Sequence, residues 1–364
     1  MTAPVSDTTL PFGRTGTLGA SPIDAYRHTM SVPSLLRYLE IKVHHLIQDY
    51  DWARVRVVGD YDRTCVISEN EKNDKLFNWQ RPTAEMQGDG LIVKCFPGRD
   101  YVRHYALIIA TYLNMTGRYC GQVDYELPAE SLCAAAVDRL NLDLSVADLV
   151  VLGWGVGQFV NGTPWTHSHG YAWQHAEVEG RRVVYLGYLH SIWGDVAGRV
   201  VSRLAALGAR RVVYVGKVGT LDPDIAPNTC LATGNSSVLA TGPTNWRDFF
   251  GHHAIQPDIR TGVHVTSPSI LLEDRNWLAA QRGIRFVDPE IGHMGHAAAT
   301  AGIEFGFLHV ISNNLARTYP ADLSNERLEV VVERRTQLLD RIHEIIRLRM
   351  RTIPRHRLTG KTRS

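Results

Sequence analysis

Long hydrophobic runs are missing from this sequence. No apolar stretch approaches the roughly 20 residues that a membrane helix needs. The first residues, MTAPVSDTTLPFG, also lack the basic and apolar regions of a signal peptide. We therefore expect a cytoplasmic protein without a membrane partner.

Cysteine is scarce and irregularly spaced. The chain has five cysteines, none in CxxC spacing. They are Cys65, Cys95, Cys120, Cys133 and Cys230. This pattern argues against a zinc cluster and favours packing roles in a reducing compartment. Glu290, His293 and His296 recur at intervals of three, but no HExxH spacing is present, so we predict no metal and no cofactor.

Charge of one sign is not in excess. The 39 Lys and Arg residues nearly balance the 37 Asp and Glu residues, so we expect no nucleic-acid partner. The last stretch, RLRMRTIPRHRLTGKTRS, is strongly basic. A solvated tail is the favoured interpretation, and an anion or nucleic-acid contact is the alternative.

The chain divides into three parts by sequence texture. Residues 1–30 carry Gly, Ser, Thr and Pro without periodicity, which predicts an extended arm. Residues 31–145 mix helix and strand patterns, typical of an α+β domain. Residues 146–364 alternate buried strands with helices and end in an amphipathic helix over 325–351 and the basic tail. We therefore predict an α/β fold with parallel strands in the last part.

Local signals place the individual elements. Ser31 or Ser34 can cap a helix that runs to about residue 50. A second helix, over 102–115, is expected to stop at Gly117. Further helices are predicted over 129–140 and 194–208, and strands over 53–58, 64–68, 90–96 and 183–187.

Two buried strands end in turns that can face a common crevice. The run VVYVGKVGT ends in Gly216 and Gly219, where a missing Cβ lets a ligand approach backbone N–H groups. About seventy residues on, Glu290 begins an Ala-rich helix, and the next strand ends in Ser312 and Asn313. Neighbouring strand ends of this kind form ligand sites in α/β proteins.

These segments resemble the nucleoside phosphorylase and nucleosidase superfamily of the hexameric purine nucleoside phosphorylase type, and within it the AMP nucleosidases. GKVGTLDPDI is similar to the family's glycine loop, SVPSLLRYLE to its Arg-Pro-x-Leu-x-x-x-Tyr-Leu helix, and LLEDRNW to its Asp-Asp-Arg-Asn-Trp. The resemblance implies a nucleoside-phosphorylase-like central mixed sheet flanked by helices, with an amino-terminal α+β domain. It also implies a dimer-based homo-oligomer of hexamer type and a nucleoside or nucleotide substrate.

The resemblance assigns catalytic roles to Glu290 and Asn313. The family's Met-Glu pair, which grips the ribose hydroxyls, corresponds to Pro289-Glu290, and its Ser-Asp pair at the leaving base corresponds to Ser312-Asn313. An amide cannot protonate N7 of a purine as a carboxylic acid can. Asn313 therefore leaves three possibilities: a base other than plain adenine, another reaction on a nucleotide, or a site that binds without turnover.

The nucleophile follows from a missing cation. Phosphorolytic relatives hold phosphate with arginines, one of which corresponds to Tyr214 here. The loop GWGVGQFVNG, with Gly153 and Gly155 on the nucleophile side, has no nearby arginine. This favours water as the nucleophile, with phosphorolysis as the alternative.

The remaining candidates surround the substrate. Ile270 stands where the family stacks an aromatic ring on the base, and Arg275 either binds substrate or pairs with Glu273, Asp274 or Asp288. The candidate substrate-binding residues are Gly216, Lys217, Gly219, Ser267, Ile270, Arg275, Pro289 and Ser312. The candidates for a 5′-phosphate are Arg37, Lys217 and Arg317.

The predicted function is an N-glycosidase that hydrolyses a nucleoside or a nucleoside 5′-monophosphate. The alternatives are a nucleoside phosphorylase and a catalytically silent nucleotide-binding sensor or accessory protein.

Overall fold

The chain forms two mixed β-sheets with helices packed against them. A computed structural model describes residues 14–19, 21–71, 78, 80–118, 121–160, 164–319 and 328–353. Within these residues one sheet has six strands and the other has thirteen. The predicted α/β class, with a mixed sheet flanked by helices, is confirmed.

The six-stranded sheet lies in the first part of the chain. Its strands are β1 (Thr15–Leu18), β2 (Arg54–Val58), β3 (Val66–Ile67), β4 (Thr83–Gln87), β5 (Gly90–Lys94) and β6 (Gln122–Glu126), in the order β1-β6-β2-β5-β4-β3. Strand β2 runs parallel to β5 and β6, and the other pairs are antiparallel. The first part of the chain also contains helices α1 (Val32–Lys42), α2 (His45–Asp49), α3 (Arg99–Thr116) and α4 (Glu130–Asp138).

The helix predicted from Ser31 to about residue 50 is interrupted, and that prediction was wrong in its extent. The Ser31 hydroxyl caps α1 by accepting the N–H of Ser34, as predicted. Val43 and His44 then adopt extended backbone, and Nδ1 of His44 accepts the N–H of Leu46 to start α2. A short stretch of extended chain therefore separates two helices.

The thirteen-stranded sheet occupies the rest of the chain. Its strands are β7 (Leu149–Gly153), β8 (Thr166–Ser168), β9 (Tyr171–Val178), β10 (Arg181–Tyr188), β11 (Arg211–Thr220), β12 (Leu231–Thr233), β13 (Ser236–Leu239), β14 (Gly242–Asn245), β15 (Arg247–Asp248), β16 (Ile259–Thr261), β17 (His264–Thr266), β18 (Phe286–Asp288) and β19 (Glu304–Asn314). Its helices are α5 (Asp195–Ala206), α6 (Arg275–Ala280), α7 (Ile291–Ala301) and α8 (Glu329–Thr352). Short 3-10 turns lie at Val156–Gln158, Gly251–Ala254 and Ile270–Leu272.

The centre of this sheet is parallel and buried on both faces. Strands β10, β7, β11 and β19 pair side by side in parallel. Alternate residues of β7 and β11 enter two separate cores: Val150 and Val212 pack on the side of α5 and α7, whereas Val151 and Val213 pack on the side of α8. A strand covered on both faces needs apolar residues at successive positions, which explains the runs LVVLG and RVVYV.

The two sheets are joined through the starts of two helices. The carboxylate of Asp195 at the start of α5 accepts the N–H of Asp100, 3.1 Å away, and the carboxylate of Asp100 at the start of α3 accepts the N–H of Asp195, 3.0 Å away. His293 of α7 contacts Asp100 at 3.2 Å. The N-termini of α3 and α5 therefore cap each other.

Within the described residues, no helix is both long and apolar enough to cross a membrane.

Candidate functional site

A cavity of about 790 Å³ lies where parallel strands of the large sheet end and the first part of the chain packs against them. Gly153 ends β7, and Gly216 lies in the second half of β11. Glu290 precedes α7, and Tyr101 and Tyr105 of α3 form part of the opposite wall. The carboxyl ends of neighbouring parallel strands are where α/β proteins bind ligands.

Backbone conformation and close packing explain why glycine occupies these positions of the wall. Gly153 and Gly155 have φ angles of 115° and 76°, which favour glycine. A Cβ at Gly155 would lie 2.7 Å from Leu339 of α8. A Cβ at Gly216 would lie 2.5 Å from Nε2 of His309. A side chain at Gly155 or Gly216 would therefore collide with a neighbouring residue, and both glycines line the cavity.

Among the described residues that line the cavity, Glu290 is the one with a carboxyl group. Its side chain is 8% exposed and is hydrogen-bonded to Tyr214, which is in turn bonded to Tyr188. Burial, with a further contribution from the charge of Asp288, raises the pKa of Glu290 well above its usual value. The protein therefore favours the protonated form of the Glu290 carboxyl group more than water does.

Asp288 takes the opposite charge state. Its Oδ1 accepts the N–H groups of Glu290 and Ile291 at 2.9 and 2.8 Å and lies 3.0 Å from Nε2 of His264. His264 and these hydrogen bonds hold the pKa of Asp288 below its usual value despite complete burial. The negative charge of this pair of acids therefore resides on Asp288.

A buried histidine completes this group behind the cavity. Nε2 of His309 lies 3.8 Å from Oδ2 of Asp288, and neither ring nitrogen of His309 has a hydrogen-bond partner in the described part of the chain. Burial lowers the pKa of His309 to about 4, so its ring is neutral at pH 7. Sequence reasoning missed both histidines, because it considered residues at strand ends. His264 lies on β17, and His309 lies in the middle of β19.

Positive charge dominates the described cavity wall. Its cations are Lys42, Arg81, Lys217 and Arg335. The ammonium group of Lys217 lies 5.2 Å from the centre of the Trp154 ring, a cation–π geometry. Nε of Arg335, on α8, donates to Oδ1 of Asn228 at 2.8 Å. Three of these four cations were missed from the sequence, where nothing distinguishes them from surface arginines and lysines.

The structure brings some predicted residues together at this cavity and places others elsewhere. Those that line it are Gly153, Gly155, Gly216, Lys217 and Glu290. Those outside its lining are Arg37, Gly219, Ser267, Ile270, Arg275, Pro289, Ser312, Asn313 and Arg317.

Asn313 lies beside Gly219 in the β11–β19 pair. The pairing shifts register between Val218 and Gly219 and sets Gly219 opposite Asn313. Both Asn313 and Ser312 are half-buried, and the Ser312 hydroxyl donates to Oδ1 of Asn313 at 3.1 Å. This strand end is therefore ordered by its own hydrogen bonds.

Ser267 is buried, and Ile270 is half-buried. Ser267 donates to the carbonyl oxygen of Ser269 at 3.1 Å. Ile270 packs on the core of the six-stranded sheet.

The other predicted cations lie at the surface. Arg37 is exposed on α1, and exposed Arg317 lies 5.5 Å from the Tyr319 ring centre. Arg275 is also exposed, and in the described structure it forms no ion pair with Glu273, Asp274 or Asp288, so the alternative pairing expected for it is wrong. Asp274 instead caps α6 by accepting the N–H of Trp277 at 2.7 Å.

No known protein-family model matches the chain. It is 27% identical over 290 residues to "Oxidoreductase cns1" of the fungus Cordyceps militaris, a match that covers 71% of this chain and 35% of that protein. The chain thus spans about a third of the length of this curated relative.

Similar solved structures are nucleoside-processing enzymes. Uridine phosphorylase from Vibrio fischeri ES114 has a TM-score of 0.46 and 14% identity, covering 57% of this chain and 93% of that one. The 5′-methylthioadenosine/S-adenosyl homocysteine nucleosidase of Campylobacter jejuni has a TM-score of 0.45 and 10% identity, covering 57% of this chain and all of that one. The AMP nucleosidase branch stays a prediction.

Proposed function

We propose that this protein hydrolyses the N-glycosidic bond of a nucleoside or a nucleoside 5′-monophosphate, with the sugar bound at Glu290. The observation that carries the proposal is a buried carboxyl group with a raised pKa, bonded to Tyr214, at the cavity lined by the end of β7 and by Gly216 of β11. Hydrolysis consumes one water, whose hydroxyl group goes to C1′ of the sugar and whose proton goes to the departing base.

The state of Glu290 suits a sugar that becomes positively charged. In the ligand-free protein its ionised form is disfavoured by burial and by Asp288. An oxocarbenium-like sugar beside it would favour the ionised form, because an opposite charge stabilises a carboxylate, and the proton that Glu290 releases passes to solvent. The interaction is then stronger in the transition state than in the ground state, which is the condition for catalysis.

Phosphorolysis is a second candidate. Tyr214 and the lack of an arginine near Gly153 in the sequence favour water as the nucleophile. However, Arg81 and Arg335 reach the cavity from other elements and are able to bind an anion. Inorganic phosphate must therefore be an arm of the experiment.

The glycine loop of this chain does not support the oxidoreductase activity named for the Cordyceps relative. A dinucleotide fingerprint needs a glycine loop between a strand and the start of a helix. The Gly153–Gly157 loop enters a three-residue 3-10 turn, Val156–Gln158, instead of an α-helix. We therefore place no nicotinamide cofactor at this loop.

The deciding experiment is a base-release assay on purine and pyrimidine nucleosides and their 5′-monophosphates, with and without inorganic phosphate. Release without phosphate supports hydrolysis, whereas release only with phosphate supports phosphorolysis. No release from any member of the panel contradicts both. Glu177→Gln, at an exposed position on β9, is the control for protein quality.

Asn313→Asp separates an altered base preference from lost catalysis. If Asn313 is suited to another base, the variant loses the wild-type activity. If the site has lost its acid, the variant gains cleavage of AMP. If the variant acts on every member of the panel as the wild type does, Asn313 takes no part in the reaction.

A further inference from the structure

Arg81 is a buried charge that lacks an acidic partner within the described part of the chain. Its side chain is 5% exposed, and its Nη2 is fully buried with no hydrogen-bond partner among the described residues. Nε makes a long contact of 3.5 Å to the carbonyl oxygen of Asn70. Buried arginines are normally paired, because an uncompensated buried charge is costly.

The Arg81 residue forms part of the cavity wall. Asn78 and Ser191 line the same cavity, and the Ser191 hydroxyl donates to Oδ1 of Asn78 at 3.1 Å. His104, also in the wall, supplies no countercharge, and burial lowers its pKa to about 3. Glu290 is the carboxyl group among the described lining residues, and burial disfavours its ionised form, so it is a poor countercharge for Arg81.

The segment that carries Arg81 is fixed against the large sheet. The N–H of Asn78 donates to the carbonyl of Tyr188 at 2.6 Å, and the N–H of Gln80 donates to that of Leu189 at 2.9 Å. Both acceptors lie at or just beyond the end of β10. The backbone before Arg81 is therefore held at the cavity before any ligand arrives, which lowers the entropy cost of binding.

We propose that Arg81 is the centre of a phosphoryl-binding subsite, and that the substrate is a phosphorylated nucleoside whose phosphoryl group docks there. A guanidinium group matches a phosphoryl group through two parallel N–H···O bonds, and amide and hydroxyl groups such as those of Asn78 and Ser191 can meet its other oxygens. The subsite stands on the geometry alone, whereas its assignment to the substrate rests on the proposed function.

Calorimetric binding tests the proposal without requiring turnover. The probes are inorganic phosphate, pyrophosphate, and adenosine, inosine and uridine with their 5′-monophosphates. We expect at least one 5′-monophosphate to bind the wild type more tightly than its nucleoside. Arg81→Gln should weaken that 5′-monophosphate about 10- to 100-fold and leave the nucleoside unchanged, as expected for one lost charged hydrogen-bonding group. Arg56→Gln, at an exposed position on β2, should change neither.

The other outcomes are equally decisive. If inorganic phosphate binds and depends on Arg81, but 5′-monophosphates bind no better than nucleosides, the subsite stands and the phosphorylated substrate is overturned. If Arg81→Gln keeps the wild-type preference, or if no phosphate-containing probe binds, the subsite is overturned. Base release is scored separately, so an inactive protein with Arg81-dependent binding contradicts the proposed function and not the subsite.

Stability gives a second, independent readout. Arg81→Met removes a buried charge that has no acidic partner among the described residues, so the ligand-free variant should melt at the wild-type temperature or above it. The best-binding phosphate-containing probe should raise the melting temperature of the wild type and not that of the variant. A ligand-free variant that melts several degrees lower would reveal a structural partner for Arg81 and overturn the proposal.

Discussion

Asp288 and Glu290 are two residues apart, and their pKa values are displaced in opposite directions. The N–H of Glu290 donates to Oδ1 of Asp288 at 2.9 Å, so the ionised acid is tied directly to the backbone of the neutral one. The charge of Asp288 acts against ionisation of Glu290, and a single negative charge on Asp288 avoids the repulsion between two buried carboxylates. The proton on Glu290 is thus a property of the pair.

Glu290→Gln should preserve the fold and remove the activity. Glutamine has the shape of the protonated acid, so near pH 6 to 7 we expect a melting temperature within about 2 °C of the wild type. It cannot become a carboxylate beside a positively charged sugar, so we expect kcat/KM for base release to fall about 100-fold or more. Thermal melting and the release assay measure the two effects. A variant with wild-type kcat/KM would exclude Glu290 from the reaction.

Glu273→Gln should change how stability depends on pH. Burial raises the pKa of Glu273 from 4.5 to about 8, although its interaction with the Ser267 side chain acts to lower it. Because the folded-state pKa is raised, the contribution of Glu273 to stability is fully present below about pH 4.5 and is lost as the pH rises through about 8. The variant lacks this loss, so its advantage over the wild type should grow between about pH 5 and pH 9. Melting curves across that range test it, and two parallel profiles would contradict it.

The elements with strong local signals could be predicted from the sequence. Gly117 ends α3 in the left-handed conformation, with its N–H donating to the carbonyls of Leu113 and Asn114. The runs that became β7, β11 and β19 are long and β-branched, and the position of Glu290 just before α7 follows from the Ala-rich pattern after it. Gly153, Gly216 and Glu290 therefore reach one cavity because strand ends of a parallel sheet lie together.

The rest of the cavity could not be predicted, because its residues are brought together by tertiary packing. Arg81 precedes a short strand of the other sheet, and Arg335 lies inside α8, where an arginine is usually solvated. Both became buried only because the first part of the chain and α8 close over the ends of β7 and β11. The cations named from the sequence, Arg37 and Arg317, are instead exposed.

The mutual caps of α3 and α5 should contribute measurably to stability. Asp195→Ala removes the acceptor of the Asp100 N–H and should cost about 1 to 2 kcal/mol, the usual value for a lost helix cap. Asp195→Asn keeps an oxygen at that place. Burial and the charge of Asp100 raise the pKa of Asp195, so its negative charge is disfavoured and the loss of that charge should cost little stability. Urea denaturation gives both values. Equal losses for Ala and Asn would mean that charge, and not the cap, is what matters.

Gly216→Ala tests how tightly β11 is packed against β19. The new Cβ would lie 2.5 Å from Nε2 of His309, which is fully buried. Overpacking of this kind costs about 1 to 3 kcal/mol. Gly19→Ala, at an exposed position with nothing within 4 Å of the new Cβ, is the matched control and should be close to neutral. If the clash is with His309, the double variant Gly216→Ala/His309→Ala should lose less stability than the sum of the two single variants, because residues in contact are not additive. If urea denaturation shows that the stability losses of the two single variants simply add, the side chain introduced by Gly216→Ala does not clash with His309.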